Sequence, residues 1–279
     1  MEPVDDVLKG LVEMTRTLAS DSVGSIYLTG SRAFGSAVSS SDIDLFFVGQ
    51  SGRLDDTLKD AVFSLSRLSP LICPYRLDVK AYRLEKLMEL ETAVDGPFSP
   101  PKAMLHFNAV TIKNFSRILS GTDIRDKVEL PPVESYVGHL RDFTVWIISD
   151  LKGGRSVRPE TTLGFPDENS SFYGYVVEGK LEHLVYVVGL IASTRIAQAA
   201  GEYVSHKGMV PELYRKYVGD RFSDFVNQIF LWCRSRWENR IPDVPSDRAR
   251  LDELCEETLR FENQLLATGF GTTSSANAS

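Results

Sequence analysis

Sulfur and histidine are scarce in this sequence. Three cysteines, Cys73, Cys233 and Cys255, are spread over 279 residues with no CxxC pair. That spacing excludes a zinc ribbon and a disulfide framework, and predicts reduced, packed thiols. Four histidines stand apart (His106, His139, His183, His206), none at metal-ligand spacing with another His or Cys. Packing or surface roles are expected, with His206, next to Lys207, the one that could line a cleft. Basic residues are also in deficit: 31 Lys and Arg against 38 Asp and Glu give a net charge of −7. Sequence-independent nucleic-acid affinity comes from Lys and Arg on phosphates, so a general nucleic-acid binder is disfavoured, though a local basic groove stays open. The N-terminal "MEPVDDVLKG" has no apolar signal core, and the most apolar later run, "LVYVVGLIAS", is short for a bilayer and flanked by charge. No secretion, no membrane and a cytoplasmic location are expected. No internal repeat is visible, and nothing sets an oligomeric state.

What is present is ample apolar content, 43%, enough for one large domain or two ordinary ones. Residues 3–20 read as an amphipathic helix, with Val4, Leu8, Leu11, Val12 and Leu18 on one face. "SIYLTG" is a strand, "GSRAFGSA" a turn with a short helix, "DIDLFFVG" a strand apolar enough to be central, and "YRLDVKAYRL" a third strand. Between the last two, "LDDTLKDAVFSLSRL" carries a helical face. After the break "PFSPP", the run "AMLHFNAVTIKNFSRILSG" reads as one helix capped by Gly121. Pro131 and Pro132 mark the best domain boundary. Beyond it strand signals nearly vanish, and helices are expected over 133–151, 178–200, 208–217, 220–238 and 246–266, with a disordered tail from 269. The expected fold is α+β: a small mixed sheet with flanking helices over 1–128, then an all-helical domain over 133–268.

The most informative residues are Asp42 and Asp44, at the lip of the strand "IDLFFV". Residues i and i+2 of a strand share a face, so the two carboxylates project side by side. Unpaired burial of two like charges is costly. A hard divalent cation resolves the repulsion, and Mg²⁺ binds through one or two carboxylates plus substrate phosphates. A third acid is then expected on a neighbouring strand, and Asp78 in "YRLDVKAY" supplies it. Three such acids can hold two metal ions, one activating the attacking oxygen and one neutralising the leaving phosphate. Gly30 lets backbone come close to a ligand, and the following amides with the Ser31 hydroxyl form an anion-binding nest. Phosphates beside carboxylate-bound Mg²⁺ make a nucleoside triphosphate site.

The ordered set of Gly30-Ser31, "SDIDL" from Ser41 to Leu45, and Asp78 resembles the nucleotidyltransferase superfamily that includes DNA polymerase β. Within it, "GSRAFGSAVSSSDIDL" is similar to bacterial aminoglycoside adenylyltransferases and minimal nucleotidyltransferases, and "ILSGTDI" looks like the segment closing their first domain. The likeness covers about the first 125 residues. It implies transfer of a nucleoside monophosphate, AMP from Mg-ATP or the equivalent from another NTP, to a hydroxyl. Asp42, Asp44 and Asp78 would be metal ligands, and Asp78 would also take the acceptor proton. Gly30, Ser31 and Ser41 would hold the nucleotide.

The second domain adds to this. "TRIAQAAGEYVSHKGMVPELY" is similar to the adenylyltransferase region whose basic residue contacts the triphosphate, which implies Lys207 and, as a second candidate, Arg195. Arg195 and His206 are too far apart for the Arg-x4–6-His signature of helical toxin ribonucleases. The aromatics Phe172, Tyr173 and Tyr175, after Asp167 and Glu168, either line a cleft for a cationic sugar or anchor their loop, while Trp146, Trp232 and Trp237 are expected in the core. The acceptor stays open between a small cationic hydroxyl compound such as an aminoglycoside and, in an antitoxin-like or regulatory protein, a side chain of a partner protein. A silent nucleotide sensor is disfavoured by three intact acids.

Overall fold

A computed structural model describes residues 3–19, 22–39, 41–49, 60, 64, 65, 67, 75–88, 102–151, 171–176, 179–204 and 207–269. The chain divides into two compact units, residues 1–136 with 205–208, and residues 137–204 with 209–279.

The first unit is built on a four-stranded sheet: β1 (Val23–Thr29), β2 (Ile43–Gly49), β3 (Leu77–Arg83) and β4 (Arg117–Gly121), in the order β3-β2-β1-β4. β1 runs antiparallel to β2 and β4, and β2 runs parallel to β3, so the sheet is mixed. Two helices precede β2, α1 (Pro3–Ala19) and the single turn α2 (Gly30–Ala33). The short α3 (Leu84–Met88) and the longer α4 (Lys102–Asn114) follow β3. Strand alternation sends Ile26, Leu28, Ile43, Leu45, Phe47 and Leu77 to one face, against Leu8 and Leu11 of α1 and Leu65. Tyr27, Phe46, Val48 and Tyr82 go to the other, against Leu105, Ala109 and Ile112 of α4. Both faces of β2 are therefore covered, which is why "IDLFFV" is apolar without interruption. Leu18, expected on the apolar face of α1, is instead 51% exposed. Of the helix expected over 54–68, only Asp60, Ser64, Leu65 and Arg67 are described, all helical; the rest lies outside the described residues, as do Cys73 and "PFSPP".

One element differs from expectation. The helix that begins at Lys102 stops at Asn114, and "RILSG" is not its last turns but strand β4 on the free edge of β1. Ser116 turns its hydroxyl back onto the Ile112 carbonyl, a local bond that competes with further helix. Ile118 and Leu119 then pack on opposite faces of the sheet, the signature of a strand. Gly121, with φ +86°, is not a helix cap: a Cβ there would lie 2.0 Å from the Gly24 carbonyl oxygen, so only glycine lets the edge strand close on β1. The chain leaves β4 through Asp123, whose carboxylate accepts from the Tyr27 hydroxyl at 3.1 Å and from Arg125 Nη2 at 2.6 Å.

Apart from a single bridge between Lys180 and Arg240, the described residues of the second unit form helices and turns. α5 (Val133–Leu151) crosses the division between the units. α6 (Glu182–Ala200), α7 (Val210–Tyr217), α8 (Ser223–Gln228), running on into a π-helix over Ile229–Arg236, and α9 (Pro245–Gly269) follow. α6 ends on Gly201 in the left-handed region. Among the described residues α6 alone is long and apolar enough to cross a membrane; 67% of its apolar window is buried inside the protein, so its composition is that of a core helix. Cys233 and Cys255 are buried and unbonded, and burial pushes the Cys233 thiol up to about 12. Phe172 and Tyr175 are buried, so the anchoring role holds for those two aromatics, while Asp167 and Glu168 lie outside the described residues. Trp237 is buried as expected; Trp146 is not a core residue but 48% exposed, stacked on Phe143. The tail from 270 lies outside the described residues.

Candidate active site

The three acids collect at one end of the sheet, where β1 ends and β2 and β3 begin. Asp44 stands in register with Asp78 on β3 and with Thr29 on β1. Asp42 lies two residues before Asp44 on the same side. The Ile43 amide donates to the Arg76 carbonyl at 2.8 Å, and the Arg76 guanidinium reaches Asp42 Oδ2 at 3.2 Å. Along this face of β2 the order is therefore Asp42, Asp44, Phe46, Val48; along β3 and its lead-in it is Arg76, Asp78, Lys80, Tyr82. The acids occupy the open end of a face whose other end is core. Tyr82 forms the boundary, stacked on Phe46 and accepting a hydrogen bond from Asn108 Nδ2 at 2.5 Å. Burial, with the Asp78 charge adding to it, holds its phenol above the ordinary value, so it stays protonated.

The Gly-Ser turn abuts these acids. Gly30 has φ +68°, and a Cβ built on it would fall 2.0 Å from Asp44 Oδ2. The glycine is required twice, for the left-handed backbone and for the space the carboxylate fills. Ser31 belongs to the one-turn helix α2, and its carbonyl accepts from the Ser36 amide at 3.0 Å. Ser41 Oγ accepts from the Val38 amide at 2.9 Å and so shapes the loop into β2. Arg32 anchors the same loop from beneath: its Nε donates to the Ser41 and Asp42 carbonyls at 3.1 and 3.0 Å, and its guanidinium stacks 4.3 Å from the Tyr75 ring centroid.

A divalent cation fits this set by donor type, since carboxylate oxygens are the hard ligands it prefers, and by the Asp44–Asp78 rung. Among the described residues, however, no three acidic, histidine or cysteine side chains form a metal-holding group. Instead Asp42 pairs with Arg76 and Asp78 with Lys80, the latter at 2.7 Å. Those bases, with Arg32, were not singled out in the sequence. The usable signal was the same period of two that revealed Asp44: Arg76, Asp78 and Lys80 alternate along one strand.

Of the two basic residues expected from the second half, Lys207 falls in the first compact unit and Arg195 in the second. Lys207 opens a 3₁₀ turn, Lys207–Met209, ahead of α7, and its side chain lies outside the described residues, as does His206. Arg195 is held inside the helical unit: Nη1 lies 2.8 Å from Asp220 Oδ2 and 3.2 Å from Gln264 Oε1, and it donates to the Tyr214 hydroxyl.

Residues 8–94 match the family model described as "Nucleotidyltransferase domain". The segment contains β1, the Gly30 turn, β2 and β3, and with them all three acids. Residues 8–94 are thus matched as a nucleotidyltransferase domain, the class of domain that the Gly30 turn and the three acids point to. Among solved structures it is similar to spectinomycin adenyltransferase AAD(9) from Enterococcus faecialis with ATP and spectinomycin, at 13% identity and a TM-score of 0.52. That likeness covers 93% of this chain and 98% of the other, and at such identity it speaks for the fold. The α+β architecture with a helical second half is the one expected. None of the curated proteins matches the chain in sequence.

Proposed function

We propose that the chain transfers AMP from Mg-ATP to a hydroxyl of a small cationic acceptor of the aminoglycoside kind, releasing pyrophosphate. The observation that carries the reading is the Asp44–Asp78 rung pressed against the Gly30 turn, inside a nucleotidyltransferase domain. The acceptor oxygen attacks the α-phosphorus, the bond to the bridging β-phosphate oxygen breaks, and pyrophosphate leaves with that electron pair. Asp78, half-exposed at the open end of the sheet, takes the acceptor proton. Asp42, Asp44 and Asp78 would hold two Mg²⁺ ions, which when bound supply charge neutralisation at the phosphates. Gly30, Ser31, Ser41 and Lys207 would hold the triphosphate. Arg195, with Nη1 engaged by Asp220, Tyr214 and Gln264, supports the helical scaffold in this reading.

The two-unit layout shared along nearly its whole length with an adenyltransferase supports a small acceptor, and an acidic chain attracts a polycation. Reduced, buried Cys233 and Cys255 suit a cytoplasmic enzyme. The test is incubation with each α-labelled NTP and Mg²⁺ against a panel of aminoglycosides and against whole lysate. Label from ATP is expected on an aminoglycoside and lost with EDTA. Label appearing on a protein band alone would replace the small acceptor by a partner protein, and transfer that persists in EDTA would remove the metal from the reading.

A further inference from the structure

The carboxylates of the site are interleaved with bases. Arg76, Asp78 and Lys80 share one side of β3 and its lead-in, and each base is engaged with a different acid: Arg76 with Asp42 at 3.2 Å, Lys80 with Asp78 at 2.7 Å. Lys80 has no acid opposite it. Its partner in register is Phe46, and its ammonium lies 5.4 Å from that ring's centroid. The aromatic supports the ammonium from one side while the chain directs it along the strand to Asp78. The Lys80 and Asp78 side chains are 32% and 42% exposed. A pair that open to water adds little stability and exchanges readily.

A bare divalent cation that takes Asp78 as a ligand must displace the Lys80 ammonium from it. A metal–nucleotide complex brings phosphate oxygens that accept the expelled ammonium. We propose that Lys80 is an internal competitor for the cation, so that metal capture is conditional on a phosphate-bearing partner. This rests on the reading of Asp44 and Asp78 as metal ligands. Such conditionality is a coupling between two ligands, and by linkage it is reciprocal: metal raises nucleotide affinity by the same factor as nucleotide raises metal affinity. It would spare the enzyme from holding metal without substrate.

Protein-bound Mn²⁺, titrated by electron paramagnetic resonance with and without α,β-methylene-ATP, tests this without relying on turnover. Wild type is expected to bind Mn²⁺ on the order of tenfold or more tightly with the analogue than without it. Lys80→Met should bind bare Mn²⁺ on the order of tenfold more tightly than wild type, narrowing the gap between the two conditions. Lys80→Arg, which keeps the charge, should restore the gap. Circular dichroism checks folding, and Lys80→Gln replaces the Met variant if that one does not fold. Bare-Mn²⁺ affinity in Lys80→Met no greater than in wild type overturns the proposal, and leaves the ligand assignment standing if Asp44→Asn has lost the analogue-dependent Mn²⁺. Mn²⁺ binding that survives in Asp44→Asn, or is absent from wild type with the analogue, overturns the ligand assignment and the proposal together.

Discussion

In the helical unit, Arg195 meets Asp220, Tyr214 and Gln264 and lies over the Tyr214 and Phe261 rings, with the Arg195 and Asp220 side chains only 18% and 24% exposed. Asp220 in turn accepts from the Tyr214 hydroxyl at 3.1 Å and from the Phe222 amide at 3.0 Å. At the open end of the sheet, Lys80 and Asp78 make one contact of similar length with far more water about them. The same pairing of charges thus serves two ends. Where the pair sits in a network of further partners and solvent is thin, it is scaffold, and removing one member strands the other. Where the pair is single and wet, it is exchangeable, and the acid remains available to a ligand.

The sharpest way to break this contrast is at Asp44. Asp44→Asn is expected to leave the fold intact, because the residue sits at the strand's open end. It should cost about a thousandfold or more in transfer rate, the scale of lost two-metal stabilisation. Single-turnover transfer measures it, and a rate within tenfold of wild type would remove Asp44 from the chemistry. Asp78→Asn comes next. As ligand and base it should lose about a hundredfold in kcat, while ATP affinity changes by less than about tenfold. Equal losses in both would reduce Asp78 to support for the other acids.

For the scaffold pair the expectation is reversed. Arg195→Ala should lose about 2 kcal/mol of unfolding free energy in urea, less than a fully buried pair because some water reaches it. ATP affinity should hold. A stable variant with weakened ATP binding would return Arg195 to the nucleotide, as the sequence first suggested.

The smallest effect belongs to Asp123. Hydrogen bonds from Arg125 hold its carboxyl down at about 2, below the ordinary 3.8. A carboxyl depressed in the folded state contributes stability above its unfolded pKa, and loses it as pH falls from about 4 toward 2. The side chain is 40% exposed, so the contribution is discounted to about 1 kcal/mol or less. Asp123→Asn should therefore show a smaller drop in Tm than wild type between pH 5 and pH 2.5. Identical drops would mean that Asp123 carries none of the acid sensitivity.

Asp42, Asp44 and Asp78 were legible in the sequence because a strand's period of two turns spacing into direction, and because a charged pair beside an apolar run contradicts simple burial. Gly30 was legible as a close-approach glycine, though not that the group approaching it is Asp44's own carboxylate. Lys80 and Arg76 were passed over because a base two residues from an acid looks like any solvated surface; the period of two places them beside Asp78, and the register with β2 shows that this side also carries Asp44 and Phe46. The helix-to-strand change after Asn114 was hidden for a different reason. "SRILSG" extends a helical apolar pattern by one turn as well as it forms a short strand, and the choice is made by the vacant edge of β1, which local sequence does not describe. Helix positions in the second half were readable because nothing there competes for strand pairing.

That edge strand also sets the order in which the first domain can assemble. Leu28 pairs with Arg117, 89 residues later (117 − 28), whereas Asp44 and Asp78 are 34 apart. On a ribosome β4 emerges last, after β1, β2 and β3, so β1 waits with its outer amides and carbonyls unsatisfied, an invitation to pair with another chain. The family-matching stretch 8–94 ends before β4 begins. A fragment cut at that limit would carry all three acids and still be an aggregation hazard, so any minimal version of this domain has to run past Gly121 to be soluble.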